Sequence, residues 1–180
     1  MGPSLSRRSF PAARARGFSL VELLVVLAIM AVLASIGFPL AELAARRQKE
    51  DELRAALREI RSALDAHKRL ADEGRVQRQA DGSGYPAHLT SLVLGVEDLR
   101  SPTRQKIFLL RRLPADPFAA PAEPADGGER RQDALQAAAA GWGLRSYASE
   151  PQDPKPGQDV FDVYSRSPEV GLNGVPYREW

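Results

Sequence analysis

The sequence predicts an α+β chain: one long N-terminal helix, transmembrane in its first half, packed on a small head with short helices and a small antiparallel β-sheet. Three observations carry that prediction. Residues 18–41 form an apolar run with one charge, Glu22. Leu53, Leu57, Ile60 and Leu64 then recur at helical spacing. Beyond Gly74 the composition changes, with 11 of the 14 prolines after residue 85 and two segments that alternate like strands.

Residues 1–17 carry Arg7, Arg8, Arg14 and Arg16 with no acid, and read as a targeting leader. They supply the basic excess of a chain whose net charge is +2. From residue 42 onward 21 basic residues face 22 acidic ones, so no nucleic-acid-binding surface is implied. At about 1.5 Å per residue the run 18–41 reaches about 36 Å as a helix, enough to cross a hydrocarbon core of about 30 Å. Length and composition leave a cleavable secretory signal, with a small-residue site at Val32-Leu33-Ala34, and a plain membrane anchor both open. Neither accounts for Glu22, since a carboxylate inside a membrane usually has a partner or a function.

Residues 42–74 read as an amphipathic continuation of the helix, with Ala56, Ala63 and His67 on the leucine stripe. Pro39 is expected to kink or loosen it, and Gly74 to stop it. His67 reads as a core-edge histidine, because Lys68 and Arg69 beside it disfavour a cation. Glu50, Asp51 and Glu52 read as a solvated face or as partners of Arg46 and Arg47. In the head, residues 75–180, Gly82–Pro86 is a turn and 89–94 a short helix. Ser101-Pro102 reads as a helix start, opening a helix to about Arg112. Residues 119–141 lack a core pattern and read as a mobile insertion with a short Ala-rich helix at 133–140. Residues 143–149 and 160–165 are the expected strands.

The string Arg16-Gly17-Phe18, then Glu22, then an unbroken apolar run to Pro39, resembles the amino-terminal signature of type IV prepilins and type II secretion pseudopilins. The resemblance implies cleavage after Gly17 by a prepilin peptidase and N-methylation of Phe18. It gives Phe18, Glu22 and Pro39 roles in assembly, with Glu22 pairing the new amine of Phe18 on a neighbour. It also implies a pilin-like fold. Gly84-Tyr85-Pro86, Leu113-Pro114-Ala115-Asp116-Pro117-Phe118 and Phe161-Asp162-Val163-Tyr164-Ser165 resemble head motifs of the major, G-type pseudopilin. The resemblance further implies an inner-membrane, single-pass chain with a cytoplasmic N-terminus and a periplasmic head. The positive-inside count cannot supply that orientation, because four basic residues flank each end of the run.

The implied function is a structural pseudopilin subunit in a short periplasmic filament that drives protein export. Its implied partners are copies of itself, other pseudopilins, the prepilin peptidase, the inner-membrane secretion platform and the membrane, but no nucleic acid. A pilin or minor pilin of a type IV pilus is the alternative, and a membrane-anchored periplasmic binding module a further one. No cofactor is required. The family's C-terminal loop commonly binds calcium, for which this chain offers Asp162, Glu169 and Asn173 as weak candidates and Tyr177 and Trp180 as an apolar closure instead. Without cysteine there is no thiol nucleophile or iron–sulfur site, and no phosphate-binding, zinc-protease or serine-hydrolase motif occurs. Catalytic residues are therefore not expected.

Overall fold

The computed structural model describes residues 18–78, 82–119 and 130–180, with the backbone alone for 36–39, 130 and 131. The chain divides into two compact units, Met1–Leu43 and Ala44–Trp180. Helix α1 spans Leu20–Asp72 and continues through Pro39. Its end follows from local chemistry. Gly74 takes φ +67°, its N–H donates to Ala71 O at 3.0 Å, and Arg75 N–H donates to Leu70 O at 2.9 Å. This pair of bonds is the Schellman arrangement, which satisfies carbonyls left open by the last turn and favours glycine at the left-handed position.

In the second unit, the stripe predicted from sequence faces the core. Leu53, Ile60 and Leu64 are fully buried, packed with Leu92, Val160 and Val163 from the head. Burying each such side chain contributes about 1.5–3 kcal/mol, so the amphipathic half of α1 is held mainly by this contact. The head places α2 (Ser91–Leu94), β1 (Val96–Glu97) and β2 (Lys106–Ile107) first, then α3 (Arg130–Ala140), β3 (Trp142–Arg145), β4 (Asp162–Ser165) and a 3-10 turn, Tyr177–Glu179. Strands β1 and β2 pair antiparallel, as do β3 and β4, with Trp142 opposite Ser165 and Gly143 opposite Tyr164. A side chain at 143 would run into the Tyr164 ring, so the tyrosine lies across a glycine. The α+β architecture expected from the sequence is therefore the one observed.

Two expectations need correction. No helix forms over 101–112. Ser101, Pro102, Thr103 and Arg104 make a β-turn closed by Arg104 N–H to Ser101 O at 3.0 Å, and Arg104 takes φ +47°, which a right-handed helix cannot continue. Serine followed by proline suits positions one and two of such a turn as well as a helix start. The chain then pairs as β2, and Leu109 and Leu110 both donate to Leu92 O. Nor does the segment 119–141 lack core contacts. Residues 120–129 lie outside the described residues, but α3 packs Leu135, Ala138 and Ala139 against the core.

His67 is 5% exposed on the stripe, and its Nδ1 lies 3.0 Å from Gly84 O. A carbonyl only accepts, so Nδ1 carries the proton. Burial pushes the His67 pKa below its ordinary 6.5, against the smaller opposing effect of the Gly84 bond. The unfolded chain therefore binds a proton more readily than the folded one, and stability falls as pH drops below about 6.5. Asp98 is held below the usual carboxylate range by its bond to Arg75, so its contribution is lost only at more acid pH. Thermal melts between pH 7 and 5 should show a falling midpoint. His67→Asn, which can still donate to Gly84 O but does not titrate, should flatten that slope; an unchanged slope would remove His67 as its cause.

Candidate functional site

The first unit presents an apolar surface that no described residue covers. Phe18 is 79% exposed, and Leu20, Val21, Leu24, Ile29 and Leu33 are each more than half exposed. Leu23 N–H donates to Ser19 O at 3.0 Å, closing the first turn of α1, and Glu22 lies in that turn. A carboxylate there interacts favourably with the positive end of the helix dipole. It is also the only charged side chain of residues 18–41, and it is exposed. Gly17 lies outside the described residues, and so does the side chain of Pro39. Such a helix is long and apolar enough to cross a membrane, and it fits a single-pass anchor.

Residues 12–38 match the prokaryotic N-terminal methylation motif. No curated protein and no solved structure matches the chain. The methylation motif makes the N-terminal part type IV pilin-like, with Phe18 and Glu22 inside the matched stretch. It points to processing by a prepilin peptidase and to homo-oligomeric filament assembly, in a pilus or a pseudopilus.

The second unit contains a polar clasp that sequence reasoning missed. Glu50 is not on a solvated face: it is 3% exposed. Its Oε1 accepts from Leu172 N–H at 2.6 Å and from the Tyr177 hydroxyl at 3.0 Å. Burial pushes the Tyr177 phenol above its ordinary pKa, so it stays protonated and remains a donor to Glu50. Arg46 donates to the same hydroxyl at 3.3 Å, to Glu169 at 3.3 Å and to Val170 O at 2.7 Å. About four turns further along α1, Arg61 donates to Asp162 Oδ1 at 2.7 Å, Val163 O at 3.1 Å and Trp180 O at 2.7 Å. One face of the helix thus holds the stretch from Asp162 to Trp180 through charge-assisted bonds. Position 50 lies three residues before Leu53 and seven before Leu57, so the stripe itself carried the signal.

Tyr177 and Trp180 close this loop as the aromatic reading expects. Tyr177 is fully buried, stacked on Phe118 at 4.2 Å between centroids, with Trp180 edge-on at 4.9 Å and Arg54 over the Trp180 ring at 4.3 Å. The three calcium candidates are each engaged separately. Asp162 lies between Arg61 and Arg145, Glu169 pairs with Arg46, and Asn173 Oδ1 accepts from Val175 N–H. Among the described residues no group of three or more His, Asp or Glu side chains is placed to hold a metal ion.

The other head motifs meet at buried polar contacts. Asp116, in the 113–118 segment, accepts from Ser165 Oγ at 2.6 Å and Phe118 N–H at 2.8 Å. Pro86 O accepts from Val160 N–H at 2.8 Å. Segments 84–86, 113–118 and 161–165 are thereby tied into one head around the β3–β4 pair.

Proposed function

We propose that this chain is a pseudopilin of type II secretion: an inner-membrane subunit with its head in the periplasm, assembling into a short filament that drives protein export. The observation that carries the reading beyond the methylation motif is the meeting of three distant head motifs. Each resembles a segment of the major pseudopilin, and here Asp116 bonds Ser165 while Pro86 bonds the residue just before Phe161. In this reading the peptidase cuts after Gly17, Phe18 is methylated, and the exposed apolar helix is covered by lipid before assembly and by neighbouring copies after it. Glu22 neutralises a neighbour's amine. The arginine-bound Asp162 and Glu169 hold the C-terminal loop to α1, a task that in this reading needs no bound cation.

Deleting the gene in its native host tests this. Proteins normally exported should accumulate in the periplasm, with surface pili unchanged, and the wild-type chain recovered from membranes should begin at methylated Phe18. Loss of surface pili with export intact would assign the chain to a type IV pilus. An unprocessed N-terminus would end the filament reading altogether.

A further inference from the structure

A cleft of about 860 Å³ opens in the head, within the size range of small-molecule and oligomer sites. Its described lining comes from the end of α1 and the residues just after it, the 82–87 turn, the β1–β2 hairpin and the loop between β3 and β4. Tyr147 projects from that loop, 62% exposed, with its ring stacked on Tyr85 at 6.2 Å and 25°. Phe161 meets both rings edge-on, at 5.1 Å and 5.4 Å, and fixes their tilt. Asp159 ties the platform to the 82–87 turn: Oδ1 accepts from Tyr147 N–H at 2.9 Å, and Oδ2 accepts from the Ser83 hydroxyl. With Tyr85 stacked against the ring, Phe161 on its edge and its backbone tied to Asp159, the exposed face of Tyr147 is preorganised for a ligand.

The polar groups of the cleft indicate the class of that ligand. Lining cations Arg78 and Arg104 are matched by anions Glu97 and Asp159, so the described walls carry no net charge. Gln77 and Gln158 and the two tyrosine hydroxyls bond no other described side chain or backbone group, and each can both donate and accept. His67 lines the cleft with Nδ1–H committed to Gly84 O, leaving Nε2 as an acceptor that bonds no described residue. A ligand that satisfies this set is neutral, has an apolar face to lie on Tyr147, and carries hydroxyls along its edge that donate and accept. A proline-rich peptide would lie on the tyrosines equally well, but it offers few N–H donors and would leave His67 Nε2 unpaired.

We infer that this cleft binds a neutral saccharide chain, with a sugar ring stacked on Tyr147 and its hydroxyls bonded to Gln77, Gln158 and His67 Nε2. This goes beyond the filament reading and does not depend on it. The experiment uses the full chain purified in a sugar-free zwitterionic detergent. Neutral linear hexose and N-acetylhexosamine oligomers of four to six units are titrated and followed by tyrosine fluorescence and saturation-transfer NMR. At least one series should bind saturably. Tyr147→Ala should weaken it by about tenfold or more while leaving the melting midpoint nearly unchanged, because the ring is mostly exposed. His67→Asn, which keeps the Gly84 bond, should weaken it by a smaller factor. Three results would overturn the inference: no saturable binding of any oligomer, binding indifferent to Tyr147→Ala, or binding of a proline-rich peptide in place of the sugars.

Discussion

Replacing Glu50 with alanine is expected to destabilise the head by about 3 kcal/mol and to release the C-terminal loop. The size follows from what is left behind. The Leu172 N–H and the Tyr177 hydroxyl both lose their acceptor, and a buried donor without a partner costs about 1–3 kcal/mol. Arg54, 3.6 Å from Glu50 Oε2, also loses a counter-charge, but it is partly exposed and that term is small. Glu50→Gln keeps an oxygen for both donors and should cost only about 1 kcal/mol. Asp51→Ala is the control on the next residue. Its carboxylate is 77% exposed and bonds only Arg54, so it should shift stability by less than about 0.5 kcal/mol. Urea unfolding of the three variants ranks them, and limited proteolysis between 165 and 180 reads loop release directly. Equal effects for positions 50 and 51 would mean that Glu50 is not the clasp.

The same contrast shows where the sequence was legible and where it was not. Helix α1, its stop at Gly74 and the buried stripe depend on spacing and local backbone chemistry, which a single stretch of residues contains. The β4 strand and the start of β3 were visible for the same reason, but the strand expected over 143–149 ends at Arg145, where the chain turns through Tyr147–Ser149. Glu50 was misread because an acidic run suggests solvent, although its place three residues before Leu53 put it on the buried face. Ser101-Pro102 was misread because a turn and a helix start ask for the same residues, and only pairing with Val96–Glu97 decides between them. The bond from Ser165 to Asp116 joins residues 49 apart, and the cleft is assembled from segments spread between His67 and Asp159, so no local pattern announces either. Core contacts of α3 were hidden by its composition. Alanines lack the bulk that makes a stripe conspicuous, yet Ala138 and Ala139 fit against the core because they are small.

Replacing Glu22 with alanine is expected to leave membrane insertion intact and to reduce filament assembly by about a hundredfold or more. Insertion depends on the apolar run, and removing its one charge makes transfer into lipid slightly easier. Assembly is different under the proposed processing, because the amine of Phe18 is then a cation among packed apolar helices. Leaving one member of a buried ion pair unpartnered costs about 3–5 kcal/mol, and each 1.4 kcal/mol is a factor of ten in an equilibrium. Glu22→Asp retains the charge on a shorter stem and should recover part of the loss. Glu22→Gln retains only a neutral acceptor and should recover less. Membrane fractionation reports insertion, and electron microscopy with cross-linking of engineered cysteine pairs reports assembly. The apolar surface alone cannot discriminate among registers, since sliding one helix along another buries much the same leucine and valine area. A single charge pair penalises every register but one, as a buried polar pair does in a coiled coil. Glu22→Ala should therefore give residual contacts that cross-link at several axial offsets, where the wild-type chain gives one. Normal filaments with a single offset would show that Glu22 sets neither affinity nor register.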